Sequence, residues 1–96
     1  MTEVHEQSGF AVSGLIKTWV SLTPSDTDGR VLDHAGNVTK RGICIRVAEA
    51  GDVTYEDIDG NEVTMALTAG ENFVTTVVKV LATGTDASTV YIGLAE

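Results

Sequence analysis

The residues best suited to chemistry form two groups of oxygen-donor side chains, each in a segment rich in turn-forming residues. The first group follows the single proline and consists of Asp26, Asp28, Asp33 and His34. Carboxylates and imidazoles in one loop can bind a cation or, beside a nucleophile, move a proton. The same composition is typical of a solvated loop whose aspartates accept hydrogen bonds from nearby backbone amides. The pattern favours such a loop and leaves open whether residues 26–34 bind a cation at a subunit boundary.

The second group consists of Asp57, Asp59, Asn61 and Glu62. Oxygen ligands at alternate positions begin the calcium loop of EF-hand proteins, which also needs a central glycine and a final glutamate. Counted from Asp57, those two positions hold Glu62 and Thr68, so the calcium pattern fails. Gly60 and Asn61 tolerate the positive φ angles that hairpin turns require. We therefore predict a hairpin turn at this point of the chain.

Nucleophiles and bases do not occur in a recognisable catalytic order. His5 and His34 lack the close spacing of metal ligands, and no Gly-x-Ser-x-Gly segment is present. Cys44, the single cysteine, alternates with apolar residues, which is typical of a half-buried packing residue. The sequence thus predicts no catalytic, cofactor-binding or metal-binding residue, and we expect no enzyme activity. An enzyme accessory domain or small hydrolase would instead require a pocket that joins His34 to Asp26 or Asp33.

Three side chains are candidates for a partner interface: Phe10, Val12 and Trp19. Phe10 and Val12 belong to a polar, glycine-containing segment that gains little from packing on itself, so we expect them to fill a groove on a neighbour. Trp19 lies on the polar-looking face of the first expected strand, as an interface anchor or packed beneath the following loop or the N-terminal segment. A sugar-binding platform usually needs stacked aromatics, and the chain has one Trp, two Tyr and two Phe.

Apolar residues recur at alternate positions, which is the period of a β-strand, and no segment shows a sustained helical period. In residues 15–23 one face carries Ile16, Val20 and Leu22, and the other carries Lys17, Trp19 and Ser21. Pro24 ends this strand because proline cannot donate to a ladder. A long loop over residues 25–38 follows, in which residues 30–32 can form a short strand.

Further strands are expected at 42–48, 53–55, 63–67, 73–83 and 90–94. In the first of these Ile43, Ile45 and Val47 face one way, and in the last Val90, Ile92 and Leu94 do so. Segment 73–83 is predicted to be the longest strand, with a shared face formed by Val74, Val78, Val80 and Ala82. We therefore predict an all-β fold, a small β-sandwich or barrel-like domain of about six to eight short antiparallel strands.

Length and charge limit the remaining choices. The 96 residues allow one domain, which we place at 15–96 after an extended N-terminal arm at 1–14. The net charge of −8 argues against nucleic-acid and anionic-membrane partners, which need clusters of Lys and Arg. The acidic N-terminus predicts no signal peptide, and no apolar run is long enough to span a membrane. A lone cysteine excludes an internal disulfide and fits assembly in a reducing cytoplasm.

Five segments follow one another in a characteristic order: Thr23-Pro24-Ser25-Asp26-Thr27, Gly42-Ile43-Cys44-Ile45, Ala50-Gly51-Asp52-Val53, Asp59-Gly60-Asn61-x-Val63-Thr64, and Val77-Val78-Lys79-Val80-Leu81-Ala82-Thr83-Gly84-Thr85 before an apolar closing strand. In this order and spacing the chain resembles the spike-base protein family of gene transfer agents and tailed phages. The resemblance covers about residues 20 to 95. Residues 1–19 do not match the family pattern, and segment 33–39 is extended relative to it.

The resemblance implies a structural virion protein, a head-decoration or vertex spike-base subunit on the capsid exterior that is made in the host cytoplasm. Its implied partners are the major capsid protein, bound noncovalently, further copies of itself, and a spike or fibre protein where one is attached. A five-fold vertex would require a pentamer and a three-fold position a trimer, and the sequence decides neither this nor the host receptor. The alternative is a small β-sandwich binding module that recognises cell-surface glycans, which exposed aromatics in a groove would support.

Overall fold

The computed structural model describes residues 15–95, which form two antiparallel β-sheets packed around one core. The seven strands are β1 (Thr18–Leu22), β2 (Gly42–Val47), β3 (Gly51–Glu56), β4 (Glu62–Leu67), β5 (Phe73–Val77), β6 (Lys79–Leu81) and β7 (Val90–Leu94). The four-stranded sheet has the order β1-β7-β2-β5, and the three-stranded sheet has the order β4-β3-β6. The predicted all-β sandwich is confirmed. Within residues 15–95 no helix is long and apolar enough to cross a membrane.

The core lies between the sheets and is built by alternation along the central strands. The four-stranded sheet contributes Ile45, Val47, Val90, Ile92 and Leu94, and the three-stranded sheet contributes Val53, Tyr55, Leu67 and Val80. The predicted inward faces of β2 and β7 are thus confirmed for these residues, and Ile43, beside a register shift in β2, is only half-buried. Removing each large aliphatic side chain from water stabilises the fold by about 1.5–3 kcal/mol.

The prediction of one long strand over residues 73–83 is wrong. The chain leaves the four-stranded sheet after Val77, and the next strand, β6, belongs to the three-stranded sheet. Val78 lies at the crossing, where its amide donates to the Glu56 carbonyl (2.9 Å) and its carbonyl accepts from the Val31 amide (3.0 Å). Val74 is 50% exposed, whereas Val77 and Val80 are buried. A run with valines at both odd and even positions does not specify which set faces inward, so only the partner strands decide.

The long loop between β1 and β2 is partly ordered as strand. Arg30 forms a single antiparallel bridge with Lys79 of β6, and Leu32 forms another with Val38. Between them, Val31 is fully buried in the core. The expected short strand at 30–32 therefore exists only as isolated bridges. Its role is to cover the outer edge of β6.

Candidate functional site

The carboxylate of Asp26, the first candidate ligand, accepts hydrogen bonds from other residues of the chain. Its Oδ1 accepts hydrogen bonds from the amides of Ala82 and Thr83 (2.9 Å each), and its Oδ2 accepts one from the Thr83 hydroxyl (2.6 Å). The hydroxyl and then the amide of Thr83 hold the pKa of this carboxyl below its usual range. These contacts favour the ionised form of the carboxyl. They also link the first loop to the connection that follows β6.

Asp33 and Asp57, from the two acidic groups, build identical turns. Each begins a five-residue Asp-x-x-Gly-Asn segment, and its amide donates to the carbonyl of the asparagine that ends the segment. Asp33 Oδ1 accepts from the amides of Ala35 and Asn37, and Asp57 Oδ1 accepts from those of Asp59 and Asn61, all at 2.9 Å. The glycines, Gly36 and Gly60, have φ angles of 86° and 90°. This geometry matches a hairpin loop in which glycine takes the left-handed position.

The hairpin predicted at residues 58–61 is therefore confirmed, with Asp57 as its first residue. The Asn61 amide is the main cause that lowers the pKa of the Asp57 carboxyl, ahead of the Asp59 amide. Across residues 15–95, no group of three or more His, Cys, Asp and Glu side chains is arranged to hold a metal ion. Three of the oxygen donors that suggest a cation site in the sequence, Asp26, Asp33 and Asp57, accept hydrogen bonds from backbone amides.

His34 and Asp33 line one depression of about 400 Å³ beside β1, together with Trp19 and Ser21. His34 Nε2 lies 2.6 Å from Thr18 Oγ1. Asp33 is engaged by the amides of its own turn and does not orient the imidazole. Asp26 is held at Thr83, away from this lining. The depression thus joins His34 to Asp33 but not to Asp26, and within the described residues no hydrogen bond links Asp33 to the imidazole.

Cys44 is fully buried rather than half-buried, which corrects the sequence expectation. Its register partners on the outer face of the four-stranded sheet are Gly93 and Val74. Ile16 covers Gly93 so closely that an added Cβ would lie 3.1–3.2 Å from its side-chain atoms. Burial raises the pKa of the Cys44 thiol. A buried thiol in its protonated form is a poor nucleophile.

The outer face of the four-stranded sheet places several polar and aromatic side chains side by side, a grouping that the sequence did not predict. Register places Ser21, Tyr91 and Arg46 in one cross-strand row. The Arg46 guanidinium lies 5.9 Å from the centre of the Trp19 ring, on the neighbouring row, within the range of a cation–π contact. Trp19 is half-buried, Arg46 is exposed, and Tyr91 is 38% exposed. The one indication of this face in the sequence is that Cys44 and Arg46 alternate with the core residues of β2.

Trp19 therefore lies on the outer face, as its strand phase predicts, between the depression beside β1 and the Arg46 side chain. Its role as an interface anchor stays a prediction. The other two predicted interface residues, Phe10 and Val12, lie outside the described residues. The arm boundary at 14 likewise precedes the first described residue.

Comparison with known proteins shows no family for this chain. No protein-family model matches it, and a search of curated proteins found no match.

Proposed function

We propose that this chain is a structural virion protein that binds the exterior of a capsid as a homo-oligomer, as a head-decoration or spike-base subunit. The observation that carries the proposal is the ordered set of strand-and-turn segments between residues 23 and 94 that resembles the spike-base family. The two-sheet fold supports it because that family consists of small β proteins. The chain acts as a scaffold in this role, with no catalysis assigned to it.

Two features of the described residues support a role in assembly. The loops are held by internal hydrogen bonds from Asp26, Asp33 and Asp57, which suits a subunit that presents a rigid surface. Exposed apolar side chains also remain on the surface, including Val74 on the edge strand β5 and Val38 in the loop hairpin. Apolar side chains on or near a sheet edge favour contact with another chain.

The test is whether the chain travels with particles. The strain that encodes the protein would produce it with a C-terminal tag, and its particles would be separated on a density gradient and imaged by electron cryomicroscopy. We expect the tagged chain in the particle fraction and additional density at defined capsid positions. A five-fold position would indicate a pentamer and a three-fold position a trimer. A tagged chain that stays at the top of the gradient while capsid protein sediments would refute the proposal.

A second candidate function is glycan recognition, and one observation favours it. Tyr91 and Trp19 lie on the same outer sheet face, with the cationic Arg46 in contact with the Trp19 ring. Aromatic side chains on an exposed face can stack against sugar rings. Probing a glycan array with the full chain tests this function, and the absence of signal for every glycan would exclude it at the affinities an array detects.

A further inference from the structure

We propose that the outer face of the four-stranded sheet carries a binding site for a carboxylated sugar, in which Arg46 binds the carboxylate and Tyr91 stacks against the sugar ring. This inference rests on the second candidate function and names its ligand class. It does not depend on capsid binding. Three features support the site: an oriented cation, an aromatic platform, and two depressions of different polarity that share this platform.

Arg46 is held at two points. Its Nε donates to the Gly70 carbonyl (3.1 Å), and its guanidinium lies over the Trp19 ring at 5.9 Å. The Gly70 turn is itself held, because its amide donates to the Val47 carbonyl (2.9 Å). Among residues 15–95, none accepts a hydrogen bond from the terminal NH2 groups of Arg46. A guanidinium oriented in this way presents the planar pair of donors that binds a carboxylate in bidentate fashion.

Tyr91, on β7, lies directly opposite Arg46 and is 38% exposed as a residue. Side chains at such a pair have Cβ atoms about 4.5–5.5 Å apart, so one sugar unit can contact both. A depression of about 510 Å³ adjoins them, and its remaining lining is apolar and small: Val47, Ala48, Ala69 and Gly70. Val47 is buried in the core, so Ala48, Ala69 and Gly70 are the residues that leave the Tyr91 ring accessible to the C–H face of a sugar.

A second depression, of about 230 Å³, shares Ala48 and Tyr91 with the first. Its lining includes Glu49, Ser88 and Thr89, whose oxygens can exchange hydrogen bonds with sugar hydroxyls. Glu49 repels a carboxylate from this depression, while Arg46 attracts one to the first. Charge therefore fixes the direction of the ligand across Tyr91, with the acidic unit toward Arg46 and a neutral unit toward Glu49.

The net charge of the whole chain further limits the class of ligand that can bind. With a net charge of −8, the protein repels densely charged polyanions at long range. The ligand that fits is a short glycan with isolated carboxylates, whether from a uronic acid or from a sialic acid. Both sources share the carboxylate and the ring, so the experiment includes both.

The probes are a tetrasaccharide that alternates glucuronic acid with N-acetylglucosamine, its carboxyl-reduced counterpart, and a sialylated trisaccharide with its asialo form. Binding to the full chain would be measured by isothermal titration calorimetry and by chemical-shift changes, with sodium acetate as a simple carboxylate. We expect at least one acidic glycan to bind, with its neutral counterpart about tenfold weaker, equivalent to about 1.4 kcal/mol. Shifts should concentrate at Tyr91, Arg46 and Ser88.

The variants are Arg46→Gln, Tyr91→Ala and, as a control with the same charge change, Arg41→Gln. Arg41 is exposed and precedes β2 at the end remote from Gly70. Arg46→Gln should abolish the preference for the acidic glycan, Tyr91→Ala should weaken both forms, and Arg41→Gln should match the parent chain. Unchanged far-UV circular dichroism and melting temperature would show that the variants fold.

Three results would overturn the inference outright, and a fourth would overturn its carboxylate part. The first is no binding of either acidic glycan, and the second is acidic binding that Arg46→Gln leaves unchanged. The third is equal binding of acetate and the glycans, which would show adventitious anion binding only. If neutral glycans bind and the acidic forms gain nothing, the glycan function stands and the carboxylate assignment fails.

Discussion

Several aspartate side chains in this protein accept hydrogen bonds from backbone amides. Asp26 accepts three hydrogen bonds from Thr83 and Ala82, and Asp33 and Asp57 each accept two within their own turns. Such contacts satisfy amide donors that a loop would otherwise leave to water. They also explain how an acidic, turn-rich composition that suggests cation binding can arise from folding requirements.

Asp26→Asn should lower the melting temperature at neutral pH, because an amide nitrogen cannot accept the hydrogen bond that the Thr83 hydroxyl donates to Oδ2. The pKa of Asp26 is lowered in the folded chain. Its stabilising contribution is therefore complete above the ordinary aspartate pKa of about 3.9 and is lost as pH falls through the lower folded value. Calorimetry between neutral pH and pH about 2 should show the gap between parent and variant closing only in the acid range.

Asp59→Asn is the matched control, because Asp59 is exposed and its carboxylate accepts no hydrogen bond from the described residues. It should leave the melting temperature nearly unchanged. A gap between parent and Asp26→Asn that persisted undiminished in acid would contradict the assignment of the ionised carboxylate as the stabilising species.

Gly84→Ala and Gly36→Ala separate backbone strain from steric collision. Both glycines have positive φ angles, 89° and 86°, so alanine should cost about 1–2 kcal/mol at either position. At Gly84 an added Cβ would lie 2.4 Å from Thr54 Oγ1, whereas at Gly36 nothing lies within 4 Å. Urea unfolding should therefore show Gly84→Ala less stable than Gly36→Ala by about 1–3 kcal/mol. Equal losses would mean that the 83–86 turn can move away from β3.

At the level of the strands, the main feature is that the chain crosses from one sheet to the other. The chain passes from β5 to β6 at Val78, and the segment around Val31 pairs with the outer edge of β6. The amide of Val80 donates to the Gly29 carbonyl (2.8 Å), and the amide of Ser25 donates to the Val80 carbonyl (3.1 Å). This part of the first loop thus completes the three-stranded sheet and belongs to the folded core.

Val31→Ala and Val38→Ala test that role with the same chemical change. Val31 is fully buried in the core, whereas Val38, which forms a bridge with the adjacent Leu32, is 57% exposed. Val31→Ala should destabilise the protein by about 2 kcal/mol, because burial of a valine contributes about 1.5–3 kcal/mol. Val38→Ala should change the free energy of unfolding by less than about 0.5 kcal/mol. Similar small effects from both variants would show that the loop is not part of the cooperative unit.

Self-association is the property of the whole molecule that the proposed capsid role requires. Residues 1–14 carry Phe10 and Val12 and precede β1, an edge strand of the four-stranded sheet. Ordering a segment of that length costs on the order of 14–28 kcal/mol of backbone entropy. Many backbone hydrogen bonds must offset this cost, as when a segment adds a strand to a neighbouring sheet.

Deletion of residues 2–13 should leave the sandwich folded and weaken self-association and particle binding. Replacing Phe10 and Val12 by serine in the full chain should reproduce the effect, because it removes the apolar side chains at unchanged length. Circular dichroism reports the fold, and analytical ultracentrifugation at micromolar concentrations reports the oligomer. If the truncated chain associates and decorates particles as tightly as the full chain, the arm is dispensable.

Local patterns were sufficient for the fold class and for individual turns. Alternation at Ile45 and Val47, and at Val90, Ile92 and Leu94, reflects the two-residue period of a strand that has one buried face. The turn at Asp57 follows from the preference of glycine for positive φ and of aspartate for nearby amides. The shared Asp-x-x-Gly-Asn spacing of residues 33–37 and 57–61 was also present in the sequence and would have predicted the second turn.

The sequence by itself thus determined an all-β chain and the inward faces of its central strands, because these depend on short-range periodicity. Only the tertiary structure decided that residues 73–83 divide between two sheets, since valines at odd and even positions permit either phase. It alone placed Trp19, Arg46 and Tyr91 on one face, because the order β1-β7-β2-β5 joins strands from both ends of the chain. Long-range pairing of this kind depends on the packing of the whole core, and no local pattern encodes it.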